Sequence, residues 1–337
     1  MTNQKITVLG VAATKNTQKY FFLLAAERLG LSAKELGRLP YMEDGVLRER
    51  VIVQITSGKK FLMVMGATTS QTSYLGMKIA VNKITTNDFL RKKGLPTTQQ
   101  IDIRSESDLS VALTRFGKIL LKPANARAGK GIFSNIQSLS QAQTIYKNLR
   151  KHYPIIIAEK ILNGNEYRIL VINGSVFAVA QYIPPTIIGD GRHSIHFLIK
   201  KENVRRTTAR DTHLIKINTA LHLNLKELSL TINSVLSNNQ SVILHKAAPI
   251  SNGGFAIDVT ENIHPQNKLL AENAAKLMNL DIAGIDIITP AIERPIELTG
   301  GAIIEINGGP DLNVHFSVRH GKSRNGAEAV LKDYFNL

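Results

Sequence analysis

Apolar residues along this chain come in short bursts, each bounded by glycine, proline, asparagine or charge. The run "YFFLLAA" (Tyr20–Ala26) is far shorter than the roughly 20 residues that span a bilayer. With the "ERLG" that follows, it predicts a helix over 20–30. Before it, Ile6–Gly10 predicts a first strand. Arg48–Gly66, "RERVIVQITSGKKFLMVMG", reads as two strands about a turn at Ser57-Gly58. Asn82–Pro96 predicts a helix stopped by Gly94 and Pro96. From Lys118 onward strands and short helices alternate: "KILL", a helix near Leu139–Lys151, then the strand "PIIIAEK" (Pro154–Lys160). Glu166–Tyr182, "EYRILVINGSVFAVAQY", predicts a hairpin, two β-rich runs joined at Asn173-Gly174. Asn203–Gln240 is polar, with a helix expected over Leu221–Leu236. The strands "AGIDIIT" (Ala283–Thr289) and "GGAIIEING" (Gly300–Gly308) follow, and a helix closes the chain near Phe335. No internal repeat or low-complexity segment interrupts this order. Residues 1–75 form a small α/β unit on this pattern, and the whole predicts an α+β fold with antiparallel sheets.

Composition narrows the function classes. The 337 residues are 43% hydrophobic and 20% charged, as in ordinary globular proteins. The absence of cysteine excludes a disulfide frame, a thiolate metal site and a thiol nucleophile. It suits a reducing compartment. "ITVLGVAA" (Ile6–Ala13) has the look of a weak secretory core, but only Lys5 flanks it, so the expected location is cytoplasmic, with no membrane partner. A formal net charge of +16 asks for an anionic partner, either a phosphate-bearing small molecule or nucleic acid. The densest basic cluster, "KKENVRRTTAR" (Lys200–Arg210), has no interleaved aromatics for stacking on a single strand. That disfavours nucleic acid, and a solvated face biased toward Lys and Arg accounts for the cluster equally well.

The stretch "FGKILLKPANARAGKGIFS" (Phe116–Ser134) carries lysines and glycines about a loop, which suggests phosphate binding. It is not a P-loop. That motif places a glycine four residues upstream of its Gly-Lys pair and Ser or Thr after it. Here the pair is Gly129-Lys130, the upstream residue is Ala124 and the next is Gly131. Acidic candidates lie further on. Glu305 and Asn307 share one face of their strand because alternate residues do, leaving Ile304 and Ile306 to the other. If Asp286 adjoins them, three oxygen donors converge, a set suited to magnesium, which shares its shell with water and substrate phosphates. An exposed polar sheet face would show the same pattern. Glu159, Lys160 and Glu166 stand at strand ends, where they can bond an amino group, phosphate or ribose hydroxyls, or simply be solvated.

Lys83, Lys122, the glycine-bearing loop, Glu159-Lys160-x-Leu162, Glu166 and the set Asp286, Glu305, Asn307 occur in an order and spacing that resembles the ATP-grasp ligases. Over roughly Ser73–Asp333, "GNEYRILVINGSVFAVAQYIPPTIIGDGRHSIHFLI", "APISNGGFAIDVTENIHP" and "GGAIIEINGGPDLNVHFS" look like the ATP-grasp part of cyanophycin synthetase and of bifunctional glutamate–cysteine/glutathione synthetases. The resemblance implies a nucleotide between two antiparallel sheets, in a domain over 76–337 with a lid-bearing part at about 115–182. It implies Lys83 and Lys122 on the phosphates, and Gly129, Lys130 and Gly131 in a closing lid. Glu159 is implied at the adenine amino group, backbone of Lys160 and Leu162 at the adenine edge, and Glu166 at the ribose. Magnesium, with manganese as an alternative, is implied on Asp286, Glu305 and Asn307. Arg168 is implied as the catalytic cation facing the γ-phosphate.

The reaction implied joins a carboxylate of an amino acid or small peptide to an amine, through an acyl phosphate, with release of ADP and phosphate. A homo-oligomer is compatible with it. No nucleophilic triad is needed, and the nine histidines read as surface or packing residues. Three features depart from the family pattern: Ala126 and Ala128 in the lid, the missing flanking domains of cyanophycin synthetase, and Asp311 where relatives usually have glycine. Aspartate–arginine polymerisation is therefore not expected. A protein-modifying amino-acid ligase and a non-catalytic ATP- or nucleic-acid-binding protein are the alternatives.

Overall fold

A computed structural model describes residues 18–43, 46–125, 131–208, 214–245 and 250–337. The expected strand at Ile6–Gly10 and the loop residues Gly129 and Lys130 lie outside the described residues. Helix α1 (Gln18–Arg28) precedes an antiparallel sheet of β1 (Ser32–Glu43), β2 (Val46–Ser57), β3 (Lys60–Met65) and β4 (Thr68–Thr69). The turn between β2 and β3 uses Gly58 at φ +56°, as its sequence predicts. β1 is an edge strand not expected from the sequence. Its alternation is masked by a register shift between Glu35 and Gly37 and by Pro40, which an edge tolerates.

Helices α2 (Tyr74–Val81) and α3 (Lys83–Lys92) follow, capped by the side chains of Ser73 and Asn82. A second antiparallel sheet, in the order β5-β8-β6-β7, is built from β5 (Gln100–Ile103), β6 (Ile119–Pro123), β7 (Phe133–Ile136) and β8 (Ile156–Lys160). It packs on α4 (Glu106–Phe116) and α5 (Leu139–Arg150) through Leu109, Ile119, Leu121, Ile136, Leu149 and Ile156.

The predicted hairpin forms as β9 (Asn165–Ile172) and β10 (Ser175–Ile183), with Asn173 and Gly174 at φ +46° and +80°. These strands do not join the β5–β8 sheet, so the span 115–182 crosses two sheets. An insertion then carries β11 (Thr186–Ile188), α6 (Ile195–Thr208), α7 (Thr219–Glu227) and β12 (Ser241–Ile243), with its own core of Ile195, Ile199, Leu221, Leu225, Leu236 and Leu244. The helix expected over Leu221–Leu236 stops at Glu227. Ser229 takes φ +58°, and Thr231 and Ser234 form a local turn whose side-chain bonds compete with helix.

The chain closes with β13 (Phe255–Asp258), α8 (Pro265–Leu277), β14 (Ile282–Thr289), α9 (Ile296–Thr299), β15 (Ala302–Asn307), α10 (Asn313–Phe316) and α11 (Gly326–Phe335). The third sheet is five-stranded, order β13-β10-β9-β14-β15, and its named pairings are antiparallel. One face, with Tyr167, Ile169, Ile285 and Ile287, packs on α8 and on residues of α2 and α3. The other face changes character along its length. Leu170, Ile172 and Ile282 share a core with Phe21 and Phe22 of α1, Val53 and Ile55 of β2, and Val330 and Leu331 of α11. The N-terminal unit thus shares its core with the last helix of the chain. Beyond that core the same face presents Arg168, two residues from Leu170 on β9, and Asp286, four residues from Ile282 on β14. Among the described residues no helix is long and apolar enough to cross a membrane.

Candidate active site

A cleft of about 1350 Å³ opens between the β5–β8 sheet and the five-stranded sheet. Ten of the sequence-predicted site residues line it: Lys83, Lys122, Glu159, Lys160, Leu162, Glu166, Arg168, Asp286, Glu305 and Asn307.

Alternation explains the upper wall. On β6 and β8, Ile119, Leu121, Ile156 and Ala158 turn into the core, so Leu120, Lys122 and Glu159 turn to the cleft. Lys122 and Glu159 are buried there and paired, Nζ to Oε2 at 2.8 Å. The backbone of Lys160 donates to the Gln99 carbonyl, after which the chain leaves the sheet through Ile161 and Leu162 along the cleft.

The lower wall is the open face of the five-stranded sheet. Arg168, Asp286 and Glu305 are directly opposite one another on β9, β14 and β15. The Arg168 guanidinium donates to both carboxylate oxygens of Asp286, Nη2 to Oδ2 at 2.7 Å, and Asn307 Nδ2 donates to the same Oδ2 at 3.0 Å. Burial pushes the Asp286 carboxyl above its ordinary range, against the pull of Arg168. Lys83 reaches in from the start of α3, its Nζ 3.4 Å from Glu305 Oε1. Burial pushes the Glu166 carboxyl up to about 7; Asp286 adds to this, Arg168 opposes it and Glu305 adds again. Gly284 makes the arrangement possible: a Cβ there would lie 2.7 Å from Pro310 Cβ and 3.0 Å from Arg168 Cδ.

One expectation changes. Ile304 does not face away from the cleft. The register slips between Asp286 and Ile287, leaving Ile304 as the extra residue of a bulge on β15, half-buried at the cleft wall. Gly131 is not among the cleft-lining residues. Its φ is +69°, and a Cβ would meet Pro123 at 3.0 Å and Leu149 at 3.2 Å, so glycine is required there for backbone and packing. In the basic cluster, Lys200, Lys201 and Arg205 are exposed, as a solvated face requires, but Arg206 is not. Arg206 is buried, bonded to Glu202 and to the Gly253 carbonyl at 2.6 Å. His315 is a packing residue, its imidazole pushed down to about 3 by burial and by Arg168.

Tyr182 and Asp311 are cleft residues that spacing did not single out as one group. Tyr182 lies under Arg168, whose guanidinium carbon is 5.8 Å from the ring centroid. The chain after β15 folds back over Gly284, which brings Asp311 close enough for its charge to bear on the Tyr182 phenol.

The donor set fits a hard divalent cation. Two carboxylates, Asp286 and Glu305, and the Asn307 amide oxygen share one face. So few protein donors leave room for water and phosphate oxygens, which magnesium prefers.

No family model matches the chain. It is 33% identical over 309 residues to cyanophycin synthetase of Crocosphaera subtropica, spanning 89% of this chain and 35% of that protein. It is 30% identical over 332 residues to the bifunctional glutathione biosynthesis protein of Clostridium perfringens, spanning 94% of this chain and 42% of that one. The crystal structure of a bifunctional glutathione synthetase from Pasteurella multocida superposes with a TM-score of 0.59 at 28% identity, over 85% of this chain and 40% of the other. The chain has the ATP-grasp fold. It spans about a third of the length of the cyanophycin synthetases it matches. The two walls of its cleft are the two sheets between which the ATP-grasp fold was expected to hold a nucleotide.

Proposed function

We propose that the chain is an ATP-dependent carboxylate–amine ligase. The observation that carries this reading is the meeting, in one cleft, of Lys83, Lys122 and Arg168 with the carboxylates of Asp286 and Glu305 and the amide of Asn307. The cleft exceeds the few hundred to 1,000 Å³ typical of single-ligand pockets, as a site for a nucleotide and two further substrates must.

In this reading Leu120, Leu162 and Ile288 flank the adenine, with backbone of Lys160 and Leu162 at its edge, Glu159 near its amino group and Glu166 at the ribose. Lys83 and Lys122 neutralise phosphate charge. Asp286, Glu305 and Asn307 hold magnesium, or manganese in its place; that ion, when bound, screens the phosphates and polarises the γ-phosphoryl group. Arg168 points its cation at the transferred phosphoryl group and at the acyl phosphate that the donor carboxylate forms. An acceptor amine then displaces phosphate to leave the amide. Positioning and charge neutralisation are the chain's contribution.

The densest basic cluster has no interleaved aromatics and one of its arginines, Arg206, is buried, so amino acids or small peptides are taken as the substrates. The test is ADP release screened over pairs of amino acids and dipeptides, with the product mass measured. A product whose mass is the sum of the two partners less one water supports the ligase; nucleotide hydrolysis without conjugation for every pair counts against it.

A further inference from the structure

Six carboxylates line the cleft: Glu49, Glu159, Glu166, Asp286, Glu305 and Asp311. Four have a basic side chain as partner. Glu49 pairs with Arg38 at 3.2 Å, Glu159 with Lys122 at 2.8 Å, Glu305 with Lys83 at 3.4 Å, and Asp286 with Arg168. Among the described residues, Glu166 and Asp311 have no ion pair. Glu166 sits beside the donor set on the nucleotide-facing strand. Asp311 lies apart from it, on the turn that folds over Gly284, and lines the same cleft as Tyr182 and the apolar Val314 and Ile250, which pack together. It is exposed, and its Oδ1 accepts the Asn313 backbone N–H at 3.0 Å. That bond occupies one oxygen and leaves the charge uncompensated.

We infer that Asp311 is a specificity residue that binds a basic side chain on the acceptor amine, so that the preferred acceptors are amino acids or peptides carrying a second, non-reacting cation. The inference rests on the ligase reading for the word acceptor. The surroundings suit such a group: the carboxylate supplies a charge-assisted hydrogen bond, and Val314 and Ile250 line the same cleft as an apolar wall for the methylene stem. Once the bound ligand covers it, a charge-assisted hydrogen bond of this kind corresponds to about ten- to a hundredfold in affinity.

The test is a binding measurement that needs no turnover. Lysine and arginine, and their neutral counterparts norleucine and citrulline, are titrated by calorimetry into the protein with and without magnesium and a non-hydrolysable ATP analogue. Wild type is expected to bind the basic member of each pair about ten- to a hundredfold more tightly. Asp311→Asn keeps an oxygen for the Asn313 N–H, so the turn survives while the charge goes; the preference should then vanish with nucleotide affinity unchanged. Equal binding within each pair, no binding of the basic probes, or a preference that persists in Asp311→Asn overturns the inference. Failure of the ligase reading appears elsewhere, in the ADP-release screen, and leaves this binding result intact.

Discussion

Asp286 on β14 is held from the neighbouring strand by Arg168, which bonds both of its carboxylate oxygens in the least solvated part of the cleft. The side chains are 4% and 13% exposed, so each depends on the other for its charge. Removing one partner leaves an uncompensated buried ion, whereas removing both leaves an apolar gap. Arg168→Met should therefore lower unfolding free energy by about 3–5 kcal/mol. The Arg168→Met/Asp286→Leu double variant should recover most of that loss. Urea denaturation of the four proteins in a double-mutant cycle checks this; additive losses would show the pair to be uncoupled.

The Lys122–Glu159 pair divides its labour differently. Lys122→Ala should raise the ATP dissociation constant about ten- to a hundredfold, because a phosphate loses a cation where water is scarce. Glu159→Gln keeps the shape and a hydrogen bond to Lys122 but removes the negative charge. It should weaken ATP binding less than Lys122→Ala does. Nucleotide titration by calorimetry distinguishes the two, and a larger loss for Glu159→Gln would make the carboxylate the principal contact.

Much of this site was legible in the order of residues, and the reasons are local. Strand alternation places Glu305 and Asn307 on one face, and Asn173-Gly174 demands its turn. What depends on pairing between distant strands was not legible. A register shift at Val176/Ala178 in β10 changes which residues face the cleft. Continued from Ala180 opposite Arg168, the shifted register puts Tyr182 beside Glu166, on the cleft face; without the shift it would face the other way. The bulge at Ile304 is of the same kind. Nor does composition reveal that β9 and β10 pair with β14 and β13 rather than with β8, since their alternating runs suit any half-buried sheet. The Leu221–Leu236 pattern misleads for a further reason. Leu221 and Leu225 bury at helical spacing, but Leu230 and Leu236 reach the same small core from irregular chain.

Gly131 was expected to matter for lid closure, but its surroundings predict a cost in stability as well. A side chain there must adopt φ +69° and push against Pro123 and Leu149. Gly131→Ala should destabilise by about 1–2 kcal/mol in the absence of nucleotide. Gly131→Val, with a branched side chain, should cost more. Thermal melts settle the matter; an unchanged melting temperature alongside a lowered kcat would restore a purely dynamic role.

Glu166 predicts a pH dependence whose sign follows from its raised carboxyl. In the unfolded chain the group ionises near 4.5, and in the folded, ligand-free protein near 7. Between those values the folded state holds the proton that the unfolded state has released, so stability falls as pH rises through that window. Glu166→Gln removes this contribution, so the stability difference between variant and wild type should grow with pH from about 4.5 to about 7, in the variant's favour, by up to about 3 kcal/mol. Denaturation at several pH values reads the difference directly. A difference that stays flat across the window means that the carboxylate is ionised throughout.

Glu305 tests the metal assignment with the least risk to the fold. Its side chain is 29% exposed and its ion pair among the described residues, with Lys83, is 3.4 Å long, so little native stability depends on its charge. Glutamine keeps the shape and a hydrogen-bond acceptor for Lys83. It offers a divalent cation a neutral amide oxygen in place of a carboxylate, which leaves Asp286 as the remaining anionic donor of the set, and that one is shared with Arg168. Glu305→Gln should thus melt within a degree or two of wild type without ligand, a shift on the order of a few tenths of a kcal/mol. Its manganese affinity, followed by the paramagnetic signal of the free ion, should fall at least about tenfold, about 1.4 kcal/mol. ADP formation should be lost at ordinary magnesium concentrations. Near wild-type turnover in saturating magnesium, together with unchanged manganese binding, would remove Glu305 from the metal site and leave it as the tether of Lys83 alone.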